Sequence, residues 1–129
     1  MITSVYNRGV INEDITGGII GGAMKVLNTL RPGLDEKLYE RAWVIELTAA
    51  GHRLSQQKAF PVRYAGRKIG TLIPDLVVDD AVIVDPKVVT GFNDAHVAQM
   101  LGYLNITGRR VALLLNFKYS QLRWKRVVL

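Results

Sequence analysis

Cysteine is absent from this chain of 129 residues. Disulfides and thiolate metal sites are therefore excluded, and a reducing, cytoplasmic setting is expected. No apolar run approaches the roughly 18 residues needed to cross a bilayer. The opening Met-Ile-Thr-Ser-Val-Tyr-Asn-Arg lacks a basic region ahead of an apolar core, so no secretory signal is expected. Repeats, low-complexity tracts and linkers are missing too, which predicts a single domain over residues 1–129. Acids are in deficit: 17 Lys and Arg face 11 Asp and Glu, a formal net charge of +6. If some of those few acids converge on a metal, the remaining surface is more basic still. Such a field attracts polyanions, with nucleic acid the expected partner ahead of an anionic membrane. What remains, 49% apolar and 22% charged, is the composition of a globular domain with a real core.

Residues 1–11 carry little pattern and are expected to be a mobile end or an edge strand. Ile15, Ile19, Ala23, Val26, Leu27 and Leu30 then recur at helical spacing behind Asn12 as a cap. Gly17, Gly18, Gly21 and Gly22 weaken that helix by roughly 1 kcal/mol each and imply close packing against a neighbour. No Gly-Lys-Ser/Thr ending follows, so a phosphate loop is rejected. After Arg31-Pro32-Gly33 a second helix is predicted to about Ala50, with Leu38, Ala42, Ile45 and Ala49 buried. Glu36, Tyr39, Glu40 and Trp43 share a neighbouring face. Strands are predicted over Leu54–Tyr64, Lys68–Val78 and Val82–Val89, the first with an edge or bulge at Pro61. A third helix over Asp94–Thr107 ends at Gly108, and strands at Val111–Asn116 and Leu122–Leu129 close the chain. The order ααβββαββ predicts an α/β fold: a mixed sheet flanked by helices, with the first three strands as a meander and the third helix as a crossover.

The stretch Pro74-Asp-Leu-Val-Val-Asp-Asp-Ala-Val-Ile-Val-Asp-Pro-Lys87 places carboxylates among valines, which is costly unless they are paired, hydrogen-bonded or bound to a cation. Asp75 and Asp85 face one another only if Val78 pairs with Val82, leaving Asp79-Asp80-Ala81 as the loop; a slip of one residue would separate them. In that register Asp75, Val77, Ile83, Asp85 and Lys87 share one face. The other, Leu76, Val78, Val82 and Val84, is wholly apolar and expected to face the core. Two carboxylates beside a lysine suit metal-assisted phosphodiester chemistry. The loop lacks the glycine that such turns favour.

Gly33-Leu-Asp-Glu36-Lys-Leu-Tyr39 resembles the Gly-x-x-Glu-x-x-Tyr signature of the GxxExxY proteins, part of the PD-(D/E)xK nuclease superfamily. Leu30-Arg-Pro-Gly33, His96-Val-Ala-Gln99 with Tyr103, Asn105-Ile-Thr-Gly108 and Leu114-Leu-Asn-Phe117 resemble further motifs of that family, in order, over about Asn12 to Leu129. The resemblance implies a restriction-endonuclease-like core and a small metal-dependent nuclease. It assigns Asp75 and Asp85 to Mg²⁺ or Mn²⁺, with Glu36 joining through water or a second metal. Lys87 would orient or deprotonate the attacking water, and Gln99 would position Lys87 or the substrate. His96 and Tyr103 become substrate contacts.

Arg109-Arg110 and Arg63, Arg67 and Lys68 are candidate phosphate contacts. Asp85 replaces the family's usual Glu. Pro86 removes a backbone donor where an interior strand is expected, predicting an edge or bulge that tilts Asp85 away from Asp75. The rival readings are accordingly a decayed site serving as a nucleic-acid-binding module, or a subunit whose basic surface meets an acidic protein. A homodimer is expected if two sites must span a duplex. His52 is expected to serve a helix end, Trp43 the core, and Trp124 a terminal strand.

Overall fold

The computed structural model describes residues 12–129; the expectation for residues 1–11 lies outside them. Helix α1 (Glu13–Leu30) is followed by α2 (Glu36–Ala49) and by strands β1 (Leu54–Gln56), β2 (Phe60–Tyr64), β3 (Arg67–Leu72), β4 (Leu76–Val78) and β5 (Val82–Lys87). Helix α3 (Asp94–Thr107) and strands β6 (Val111–Asn116) and β7 (Arg123–Val128) complete the chain. The main sheet runs β1-β4-β5-β6-β7, parallel only between β5 and β6, the pair that α3 connects. It is a mixed sheet between two helical layers, a restriction-endonuclease-like fold.

Both faces of the sheet are closed. Leu76, Val78, Val82 and Val84 pack against α1 and α2 through Ile19, Ala23, Tyr39, Trp43 and Leu47. Val77 and Ile83 lie beneath Met100 and Leu104 of α3. β6, central and covered on both sides, is buried at every position, as its unbroken apolar run predicts.

The first two expected strands each divide. Gln57, at φ 61°, turns the chain out of β1, and Ile73-Pro74 separates β3 from β4. The meander is thus replaced: β1 pairs with β4, while β2 and β3 form a separate two-stranded hairpin. Pro61 is tolerated because both strands of such a hairpin are edges.

Helix α2 is rotated from its expected face. Tyr39, Trp43 and Leu47 are buried, whereas Leu38 and Ile45 are 44% and 71% exposed. The aromatics win because they bury more area and their polar tips are satisfied. Trp43 Nε1 donates to Ile19 O at 3.0 Å, and Tyr39 stacks on Phe117 with centroids 5.0 Å apart. Asn12 precedes α1 without making a side-chain cap bond.

The α1 glycines fall into two pairs. A methyl at Gly22 would sit 2.9 Å from Leu47 Cδ2, and one at Gly18 would sit 2.7 Å from His52 Nε2, whereas Gly17 and Gly21 face open space. Gly17→Ala and Gly21→Ala should each raise stability by up to about 1 kcal/mol. Gly22→Ala, crowding a closed core, should lower the urea midpoint. Equal effects at all three positions would contradict the packing described.

Candidate active site

The register that opposes Asp75 to Asp85 is the one observed: Leu76 pairs with Val84, Val77 with Ile83 and Val78 with Val82. Asp75 stands one residue before β4 and is half-buried; Asp85, on β5, is 6% exposed. Lys87 Nζ donates to Asp85 Oδ2 at 3.1 Å from the same side of the strand.

Pro86 lies inside β5 without producing the edge or bulge expected of it. Lys87 O accepts from Phe117 N at 2.9 Å, so the Lys87 backbone faces β6. Successive residues alternate, which turns Pro86 toward β4. The observed register puts Pro74 opposite Pro86, where β4 has already ended at Leu76. Neither proline has an N–H, so the β4–β5 ladder stops there, and no donor needed by a neighbour is lost. Asp75 and Asp85 form the adjacent pair without mutual backbone bonds, the kind in which side chains approach most closely. The expected tilt of Asp85 away from Asp75 does not occur.

The electrostatics show how tightly the acids are held. The Asp85 carboxyl is pushed up from 3.8 to about 7, first by burial and further by Asp75 within hydrogen-bond reach, against the pull of Lys87. Glu36, in the first turn of α2, comes from the opposite helical layer. Its carboxyl is raised by burial, with Lys87 lowering it and Asp75 raising it. Asp75, Asp85 and Lys87 therefore lie together at one end of β5, within electrostatic range of Glu36.

Tyr39 fixes the approach of Glu36. Its hydroxyl donates to Arg31 O at 2.6 Å and accepts from Leu34 N at 3.1 Å, bracing the turn in which Gly33 takes φ 113°. Its ring is anchored on Phe117, the residue that also bonds Lys87. Asn116, which the sequence marks only as part of the Leu114–Phe117 motif, supports the exit from β5. Buried at the end of β6, it accepts from Val89 N and Lys118 N and donates to Val89 O, so the exit from β5 is fastened to β6. The available signal was a lone amide closing a wholly apolar run.

Helix α3 supplies Tyr103 to this end of the sheet. Its hydroxyl pKa is raised by burial and then by Asp85 and Asp75. Gln99 Nε2 donates to Tyr103 Oη at 3.0 Å, so Gln99 is bound to Tyr103 and has no bond to Lys87. His96 is largely a cap. Its Nδ1 accepts from Asn93 N while Asn93 Oδ1 accepts from His96 N, and burial followed by Lys87 lowers its pKa.

Arg109 and Arg110 are not brought to the site. They precede β6 beside the hairpin turn, at the opposite end of β5 from Lys87. Arg109 is committed there to Asp80 and to Thr107 O. The reason is the parallel β5–β6 pairing, which sends the start of β6 away from the acids.

Among the described residues no three His, Cys, Asp or Glu groups are close enough together to enclose a metal. Two neighbouring carboxylates nevertheless offer the hard oxygen donors that a cation such as Mg²⁺ prefers, with water completing its shell. The crowding of Asp75 against buried Asp85 is the charge state such a cation would relieve.

The family model described as the PD-(D/E)XK nuclease superfamily matches residues 13–127. No curated protein and no solved structure matches the chain.

In chelator, the raised Asp85 value makes stability greatest below its unfolded value of 3.8 and lost as pH rises through about 7. The metal-free protein should therefore melt lower at about pH 8 than at about pH 5, and Asp85→Asn should flatten that dependence. Excess Mg²⁺ should raise the midpoint of the wild type at about pH 8 and leave Asp85→Asn unmoved. A wild-type midpoint that climbs with pH in chelator would contradict the burial of an ionisable Asp85.

Proposed function

The chain belongs to the PD-(D/E)XK nuclease superfamily, and we propose that it is a metal-dependent nuclease cleaving phosphodiester bonds with Asp75, Asp85 and Lys87 as its centre. The observation that carries this reading is the opposed Asp75–Asp85 pair with Lys87 bonded to Asp85 at 3.1 Å. Asp75 and Asp85 would hold Mg²⁺ or Mn²⁺, and Glu36 would reach the ion through water. When bound, the cation would supply an activated water and charge neutralisation.

The chain's own contribution is orientation and charge. Asp85 holds the Lys87 ammonium at the site mouth, where it can meet a phosphate oxygen or steady the incoming water. Tyr103, presented beside both carboxylates, would contact the substrate, and Gln99 would hold its hydroxyl. The finer GxxExxY reading is supported by the way Gly33, Glu36 and Tyr39 cooperate: positive φ in the turn before α2, then acid and brace in its first turn. The rival of a decayed site drew on Pro86, and the ladder end between Pro74 and Pro86 accommodates that residue.

Cleavage of single-stranded, duplex and branched DNA and RNA in Mg²⁺ and Mn²⁺ tests the proposal. Asp75→Ala and Lys87→Ala should each reduce cleavage by about 100-fold or more. Cleavage unchanged in both variants would overturn the assignment.

A further inference from the structure

The β2–β3 hairpin stands outside the main sheet, and its composition is one-sided. From Gln57 to Pro74 the chain carries Lys58, Arg63, Arg67 and Lys68 and no acid. Lys58 is paired with Asp80. Arg63, Arg67 and Lys68 are exposed and make no ion pair among the described residues.

Their placement is costly for the protein alone. Arg63 is directly opposite Lys68, a like-charge cross-strand pair that destabilises a hairpin. Arg67 follows at the tip, opposite Tyr64, which is 74% exposed. The two-residue turn between them, Ala65-Gly66, has positive φ at both positions, 50° and 78°, the tight geometry that holds the strands in register. Beside the charged pair, the register shift leaves Ile69 unpaired and 69% exposed, a bulge that twists and re-aims the strand. Two cations held face to face at a rigid, exposed tip are explained by an anion that bridges them.

One strand of the arm leads into the candidate site, since only Ile73 and Pro74 separate Leu72 from Asp75. Phe60, opposite Leu72, anchors the other strand on the apolar cluster under α3 and beneath Lys58 and Arg109 on the hairpin-turn side. The six residues of β3 extend about 20 Å, the span of several nucleotides. A polymer with regularly spaced phosphates can therefore lie at Asp75 and at the tip together.

We propose that the β2–β3 hairpin is a nucleic-acid-gripping arm in which Arg63, Lys68 and Arg67 hold backbone phosphates a few nucleotides from the bond at Asp75. This rests on the nuclease reading for the identity of the polymer, but not on cleavage. Its test is binding of fluorescently labelled duplex DNA, duplex RNA and single strands to the full chain in chelator, over about 50 to about 200 mM salt.

Arg63→Gln/Lys68→Gln should bind at least about five-fold more weakly at about 100 mM salt, with the slope of log K against log salt reduced by about two. Relief of the like-charge pair should leave its melting midpoint equal to or above the wild type. Lys25→Gln/Arg41→Gln, equal in charge and remote in sequence, should lose less than about half as much. The strand form showing the larger loss identifies what the arm grips. An unchanged slope and affinity, or an equal loss in the control pair, overturns the arm. If the wild type still cleaves, the nuclease reading survives that result. A wild type that neither binds nor cleaves any nucleic acid overturns both.

Discussion

Everything at the candidate site depends on the three residues that reverse the chain between β4 and β5. Asp79 and Asp80 both adopt the left-handed conformation, at φ 52° and 54°, in a turn without glycine. For ordinary residues that conformation costs roughly 1 kcal/mol or more each, and Asp is among the few that tolerate it. The turn is held from outside. Asp79 bonds His52 Nδ1 at 2.7 Å and Arg53 N at 2.8 Å, while Asp80 meets Lys58 and Arg109. Burial opposes the Asp79 charge, yet the His52 and Arg53 bonds keep its carboxyl below the usual range. Arg109 and Asp79–Asp80 thus secure a register whose consequence appears at the other end of the hairpin. A slip of one residue would put Asp85 on the face occupied by α1 and α2.

The same hairpin has a second boundary, set by Pro74 and Pro86. The last ladder pair is Leu76–Val84, and the acids stand one position beyond it, just short of Pro74 and Pro86. Asn116 and Phe117 then carry the strand exit onto β6, and Tyr39 joins Phe117 to the turn before Glu36. Acids from two layers are thereby tied to one buried aromatic.

The parts of this arrangement governed by local pattern could be read from the chain itself. Alternation over residues 75–87 limits the register to pairings that keep Leu76, Val78, Val82 and Val84 on one face, and opposing Asp75 to Asp85 selects the observed one among them. Asn93 and Gly108 bracket α3 as its terminal chemistry predicts, although His96 proved to belong to the cap. What failed depended on partners distant in sequence. The buried face of α2 was chosen by Phe117 and by a groove in α1, which no spacing within α2 reveals. The division of β1 from β2 turns on Gln57, a residue with no breaker signature. Arg109 and Arg110 lie away from the acids because the crossover returns the chain to the start of β5, a placement that no local spacing reveals. The edge or bulge expected at Pro86 is absent because its opposite number, Pro74, matters only once the register is known.

A cation site presented jointly by Asp75 and Asp85 is the proposal on which the nuclease reading turns. The most direct measurement is the anomalous scattering of Mn²⁺ in crystals of the protein. A peak is expected in contact with the carboxylates of both Asp75 and Asp85, absent from crystals of Asp85→Asn. Manganese bound elsewhere with none between these two acids, or acids turned to opposite faces of the sheet, would contradict it.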